Sequence, residues 1–313
     1  MQKRTLGRSG ISIAPLVFGG NVFGWTADRQ RSFELLDHFT GKGFNAVDTA
    51  DVYSAWAPGL SGGESETVIG EWLAQRKRRD DVVLMTKVGM WNPRKGLSAA
   101  NIEAAANDSL KRLQTDYIDV YFAHIDDADV PFEETLGAFS RLIEAGKVRA
   151  IGASNHKADR LQAALDAAKA AGLPRYEIVQ PGYSLYDRSE FEQSLLPVIQ
   201  SEGIGAVSYF SLASGFLTGK YRSKADLEVS SRKAMLDGYF DARGERILAA
   251  LREVADEVKA PQAQVALAWL MSRPGLTAPI ASATSTAQLD EIMGATDLDL
   301  PADARDRLDA ASR

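Results

Sequence analysis

The chain has 313 residues, 45% hydrophobic and 25% charged, enough to bury a full core as one large domain or two ordinary ones. Its formal net charge of −6 argues against a general nucleic-acid binder, and the lack of cysteine excludes disulfides, thiolate metal sites and a catalytic thiol. The basic N-terminus MQKRTLGRSGISIAPLVFGG has no continuous apolar stretch before a cleavage site and no run approaches a membrane span, so a soluble cytoplasmic protein without membrane or nucleic-acid partners is expected.

The chain opens with a hairpin pattern, residues 4–6 and 11–13 about a turn at 7–10. A long alternation follows. Short apolar or β-branched runs at 16–18, 46–48, 82–87, 117–123, 150–153, 178–180, 205–209 and 278–280 read as strands. Amphipathic helix patterns lie near 29–41, 64–77, 98–112, 132–145, 156–171, 189–202 and 262–272. Ser98 and Pro131 mark helix starts, and Gly146 and Gly203 mark stops. Residues 210–244 lack strong periodicity and read as a large loop, with further helices at 247–258 and 301–312. Eight βα units with no linker between them predict one closed (β/α)8 barrel domain over 1–313, an α/β fold with an N-terminal β-hairpin and extra C-terminal helices. A doubly wound open sheet is the alternative, but Phe18-Gly19-Gly20-Asn21 does not give the GxGxxG that such a sheet would carry after its first strand.

Four residues carry the chemistry. Asp48 ends the run FNAVD, Lys87 ends VVLMTK, His124 ends YIDVYFAH, and Tyr53 lies in the loop DTADVYS. A (β/α)8 barrel gathers its site at the C-terminal ends of its strands, which would bring these four to one rim. Each alone has a plainer explanation: a turn carboxylate, a surface Tyr or Lys, a hydrogen-bonded structural His. Together they suit proton donation. A phenol is a poor acid near neutrality, and a nearby ammonium favours the phenolate and lowers its pKa. On this reading Tyr53 is the acid, Lys87 tunes it, Asp48 holds Lys87, and His124 hydrogen-bonds the group that takes the proton. Asp51 is expected to cap or solvate its loop, His38 and His156 have no catalytic part, and no metal site is expected.

GFNAVDTADVYS, GGESETVIGEWL, VLMTKVG, DYIDVYFAH, GKVRAIGASN and SLASGFLTGKY together resemble the aldo-keto reductases, in order and over essentially the whole chain. Within that family the chain is similar to the branch of bacterial stress-type reductases and potassium-channel β subunits. The resemblance implies a barrel that binds NADP(H) in extended form and reduces aldehydes or ketones. It places Ser154, Asn155 and Gln180 at the nicotinamide carboxamide, Tyr209 under the nicotinamide ring, and Gly19, Gly20 and Asn21, next to Asp48, at its border. Phe210, Ser211, Leu212, Ala213, Ser214, Gly215, Leu217 and Lys220 would close over the pyrophosphate, with Arg232 reaching the same region. Ser282, Ala283, Thr284, Ser285, Gln288 and Glu291 match the stretch that holds the adenosine 2′-phosphate. Many relatives carry a basic residue near Thr284 and an Asn in place of Ile292, so NADP(H) is favoured while NAD(H) stays open. Trp25, Trp56 and Trp91 are the expected pocket walls for a small-molecule carbonyl or alcohol substrate. NAD-dependent oxidation of a sugar, polyol or pyridoxine-like alcohol, or a cofactor-sensing regulatory subunit, are the competing functions.

Overall fold

A computed structural model describes residues 1–221, 224–227 and 236–313. The barrel strands are almost wholly buried because parallel strands in a barrel are covered on both faces. All six residues of β5 (Val83–Val88) and of β6 (Ile118–Ala123) are buried. With β3 (Val17–Gly19), β4 (Ala46–Asp48), β7 (Val148–Ser154), β8 (Ile178–Gln180), β9 (Gly205–Ser208) and β10 (Ala278–Ala281) they form a closed parallel barrel in chain order, β10 pairing β3. This is the expected (β/α)8 architecture, and closure removes every free strand edge. Helices α1 (Arg29–Gly41), α2 (Glu64–Arg76), α3 (Ala99–Leu113), α4 (Phe132–Glu144), α5 (Ala158–Ala171) and α6 (Leu196–Glu202) follow successive strands around the outside.

Side chains from alternate strand positions build two cores. Val17, Met85, Val120 and Phe122 point into the barrel, while outward residues such as Leu84 and Tyr121 pack under the helices. Small and large residues interlock in the inner layer: a Cβ on Gly152 would collide with the Phe122 ring. The hairpin of β1 (Arg4–Thr5) and β2 (Ser12–Ile13) adds Leu6, Ile11 and Ile13 to this inner cluster. It therefore plugs the N-terminal end of the barrel and leaves the other end for chemistry.

Local signals account for most helix ends. Ser98 accepts from the Asn101 N–H (3.4 Å) and Asp28 from the Arg31 N–H (2.8 Å), while Gly203 ends α6 in the left-handed conformation. Two expectations need correction. The pattern at 189–202 is a π-helical stretch, Glu190–Leu195, running into α6, whose early Pro197 lacks the N–H a regular turn would use. The loop expected to reach 244 ends sooner: Asp241 caps α7 (Ala242–Val258) by accepting from the Gly244 N–H (2.7 Å). Short turns at Ala213–Thr218 and Asp237–Tyr239 also structure that segment. Helices α8 (Gln262–Met271), α9 (Thr286–Met293) and α10 (Ala302–Ser312) complete the fold.

Gly7 has φ +53°, and a Cβ there would strike the Glu177 carbonyl and the Gly205 N–H at the barrel floor. Gly7→Ala is expected to cost about 1–3 kcal/mol of unfolding free energy by combining backbone strain with overpacking. Urea denaturation checks this; an unchanged midpoint would show that the plug does not hold the floor.

Candidate active site

Asp48 is the last residue of β4, Lys87 lies near the end of β5, and His124 directly follows β6. Their alignment in the sheet brings all three to the C-terminal rim, where Tyr53 drops in from the loop after β4. Lys87 Nζ donates to Asp48 Oδ2 (2.7 Å), to the Thr49 carbonyl (2.7 Å) and to the Tyr53 hydroxyl (2.9 Å). The Tyr53 hydroxyl donates in turn to Asp48 Oδ2 (3.0 Å). Gln180, at the end of β8, crosses the barrel to give its Nε2–H to Asp48 Oδ1 (2.8 Å). Asp48 thus accepts from three side chains. Lys87 is 0% and Asp48 1% exposed, so this pair stands in a low-dielectric enclosure where its partners matter most.

Burial pulls the Lys87 ammonium down from its ordinary value, and Asp48 opposes that pull. Tyr53 moves opposite to the expected direction. Its hydroxyl is enclosed beside Asp48, and desolvation together with that carboxylate pushes the phenol well above 10, outweighing Lys87. The ring itself remains partly exposed at the rim. His124 is held well below its usual range by burial and by the Lys87 charge, so its imidazole is neutral. His124 Nδ1 is enclosed with no partner among the described residues.

The chain matches the Aldo/keto reductase family over residues 15–313. It is 34% identical over 310 residues to a probable voltage-gated potassium channel subunit beta of Arabidopsis thaliana, covering 95% of this chain and 92% of that one. The uncharacterized oxidoreductase YrpG of Bacillus subtilis is 33% identical over 310 residues, covering 96% and 92%. Norsolorinic acid reductase of Aspergillus flavus is 30% identical over 300 residues, covering 90% and 74%. The chain belongs to the aldo/keto reductase family. As a member it is an NAD(P)-dependent oxidoreductase, and the residues around the four can be tested for fit to a nicotinamide dinucleotide.

They fit in several respects. A hydrogen-bond chain joins the expected carboxamide residues to the catalytic candidates: Tyr209 donates to Asn155 Oδ1 (2.7 Å), Asn155 Nδ2 to the His124 carbonyl (2.8 Å), and Ser154 to the Gln180 carbonyl (2.9 Å). Asn155 adopts φ +57°, a conformation Asn tolerates better than most residues. The Tyr209 ring lies over Gly182, where a Cβ would be only 3.3 Å away, and keeps part of its surface open. Ala213, Ser214 and Gly215 are consecutive left-handed residues, and the Ala213 and Gly215 N–H groups turn back to the Phe210 (2.7 Å) and Leu212 (2.9 Å) carbonyls, which fixes this loop tightly. Ser282 donates to Asn21 Oδ1 (2.5 Å), closing the gap beside Gly19 and Gly20. Ser285 caps α9 by accepting from the Gln288 N–H (3.3 Å), and Gln288 Oε1 accepts from the Thr284 N–H (2.9 Å) and hydroxyl (3.1 Å). Glu291 is partly buried one turn further on.

Some expected contacts are narrower than the sequence suggested. The side chains of Ala213 and Leu217 are buried in the core, so only their backbone can meet a ligand. The Ser211 hydroxyl is tied to the Ser208 carbonyl (2.9 Å), and the Lys220 ammonium sits 4.6 Å from the centre of the Tyr221 ring. Gln180 supports Asp48, a role the sequence did not suggest. Phe210 is exposed beside Tyr209, Leu212 is half-buried, and Arg232 lies outside the described residues. Of the expected pocket walls, Trp56 stands 49% exposed, edge-on to both Trp25 and Tyr53 at 5.7 Å. Trp91 instead donates to the Ser61 carbonyl (2.7 Å), bracing the loop that carries Trp56.

Behind β5 sits a cluster that the sequence did not reveal. Glu66 of α2 is fully buried and accepts from Thr86 Oγ1 (2.5 Å) and from Arg112 Nε of α3 (2.7 Å). Asp51 is 2% exposed and neither caps nor solvates its loop. Removing Arg112 strands the Glu66 charge in the interior, so Arg112→Met should destabilise by about 3 kcal/mol, while Arg112→Met/Glu66→Leu should regain most of that loss. Thermal unfolding of both variants checks it; equal losses would mean that the ion pair is not the structural element.

Proposed function

We propose that this protein reduces aldehydes or ketones with NADPH in preference to NADH, as one catalytic domain over 1–313 working in the cytoplasm. The observation that carries the reading is the hydrogen-bonded set of Tyr53, Lys87 and Asp48 at the barrel mouth. A bound nicotinamide supplies the hydride that the carbonyl carbon takes up. Tyr53 gives the proton to the carbonyl oxygen, turning its O–H from Asp48 to the substrate. Its environment keeps the phenol protonated, the form reduction needs, at the expense of acid strength that the Lys87 ammonium must offset as the proton leaves. Lys87 donates a hydrogen bond to the oxygen left charged on Tyr53, and Asp48 keeps Lys87 aimed. Neutral His124 offers a ring N–H to the carbonyl oxygen and orients it.

Trp25 and Trp56 form an aromatic wall beside Tyr53, which suits a carbonyl attached to a flat apolar body. Trp91 acts on that wall indirectly, by fixing its loop. Ser154, Asn155, Gln180 and Tyr209 seat the nicotinamide; the 210–217 backbone and Lys220 meet the pyrophosphate. Around the 2′-phosphate the chain offers hydroxyls and the N-terminus of α9 and no arginine or lysine between 282 and 291.

Tyr53→Phe should lower kcat for an aromatic aldehyde by at least ~10²-fold while leaving NADPH binding intact, as loss of a general acid does. Coenzyme fluorescence quenching and steady-state turnover test this together; full turnover by Tyr53→Phe would overturn the assignment. Thr284→Arg should tighten NADPH about tenfold and leave NADH unchanged, the size of one charge-assisted hydrogen bond. Equal tightening of both coenzymes would place the 2′-phosphate elsewhere.

A further inference from the structure

Three carboxylates lie near Lys87, and two of them are occupied. Asp48 accepts from Lys87, Tyr53 and Gln180, and Glu66 is held by Thr86 and Arg112. Asp51 is different: both of its carboxylate oxygens are enclosed without a hydrogen-bond partner among the described residues. In sequence it lies between Asp48 and Tyr53, and its own N–H reaches the Lys87 carbonyl (3.4 Å), tying its backbone to β5. A carboxylate paired with a cation projects little net field, whereas an unpaired one in a low-dielectric interior acts on every charge nearby.

We propose that Asp51 is a positioning residue for the reduction: it is the unpaired carboxylate whose negative charge, added to that of Asp48, maintains the Lys87 ammonium that Tyr53 requires. This rests on the reductase reading given above.

The surroundings of Asp51 agree with it. Facing it are Glu66 from α2, Arg112 from α3, Lys87 from β5 and Tyr121 from β6, whose enclosed hydroxyl also has no partner among the described residues. Burial first, then Glu66, raise the Asp51 carboxyl to about 7, against Arg112, the Val52 N–H and Lys87. The Val52 N–H does not reach hydrogen-bond geometry, so it leaves both oxygens open. Asp51 is therefore neutral in acid and charged above neutrality. Burial pushes Lys87 toward losing its proton, and Asp51 is among the charges that oppose that loss. The proton-donating pair gains electrostatic support as the solution becomes more alkaline.

The test uses the full chain, free of coenzyme, labelled with [ε-13C]lysine, with the Lys87 resonance assigned by its loss in Lys87→Met. Asp51→Asn should lower the Lys87 titration midpoint by about one pH unit, a roughly tenfold change in proton affinity for one charge acting through the interior. Asp51→Glu should leave it near the wild-type position. In turnover, the alkaline limb of the kcat profile should move down by the same amount in Asp51→Asn, whereas a merely structural defect would lower kcat at every pH without moving the limb. Should Asp51→Asn not fold, Asp51→Ser carries the same measurement. A Lys87 midpoint unchanged in a folded Asp51 variant overturns the proposal, even if the wild type is an active reductase. A shifted midpoint in a protein that reduces no carbonyl compound upholds the electrostatic coupling and overturns the reductase reading instead.

Stability gives a second readout. Asp51 is ionised in the unfolded chain above about pH 4, the ordinary range for Asp, but in the folded protein only above about 7. The folded state therefore binds the extra proton between these values, and stability falls as pH rises through that window. The Tm of Asp51→Asn relative to wild type should climb between pH 5 and 8; a flat difference would show that Asp51 is not a buried ionisable group and would overturn the proposal.

Discussion

The site depends on one constraint: a lysine ammonium with no exposure to water must be kept charged. Moving such a cation into a low-dielectric interior costs several kcal/mol, and it retains its proton only where acceptors surround it. Lys87 has three, the Asp48 carboxylate, the Thr49 carbonyl and the Tyr53 hydroxyl. Each is delivered by the barrel. β4 ends at Asp48, its continuing backbone turns the Thr49 carbonyl inward, and the following loop returns Tyr53 over the top. Shifting β5 by one residue would point Lys87 at the helices and Thr86 into the mouth, because side chains alternate along a strand.

The same constraint explains why the residues proposed to seat the coenzyme and those proposed to move the proton are continuous. Gln180 holds Asp48 from across the barrel, Ser154 is tied to the Gln180 backbone, and Asn155 links the backbone of His124 to Tyr209. A closed sheet lets neighbouring strand ends brace one another in this way, so the residues that hold Tyr53 and Lys87 are set by the same strands that would seat the nicotinamide. The hairpin plug closes the far end, which leaves the C-terminal mouth as the one face where these ends converge.

The fold was largely legible in the sequence. Eight apolar runs separated by amphipathic helices specify a barrel, and Asp48, Lys87 and His124 could be found because each closes a strand. Tyr53 could be tied to them only by its distance from Asp48 and by family resemblance. What stayed hidden depends on partners far apart in sequence. Glu66 and Arg112 look like ordinary solvated helix charges until α2 and α3 pack together behind β5. Asp51 reads as a loop polar residue because nothing local signals its burial. The direction of the Tyr53 shift is hidden for the same reason: the sequence implies proximity to Lys87, but not the enclosure and the bond to Asp48 that outweigh it. The early start of α7 followed a weaker signal, an Asp cap before a charged first turn.

The central claim is that the buried ammonium of Lys87 sustains proton donation by Tyr53 during carbonyl reduction. The most direct measurement follows deuterium from [4,4-2H2]NADPH into the alcohol formed from an aromatic aldehyde, with wild type and Lys87→Met compared at equal coenzyme saturation. Wild type should place one deuterium on the carbinol carbon for each coenzyme oxidised, and Lys87→Met should bind the coenzyme yet form product at least ~10²-fold more slowly, the scale of losing acid catalysis. Undiminished deuterium transfer by Lys87→Met would contradict it.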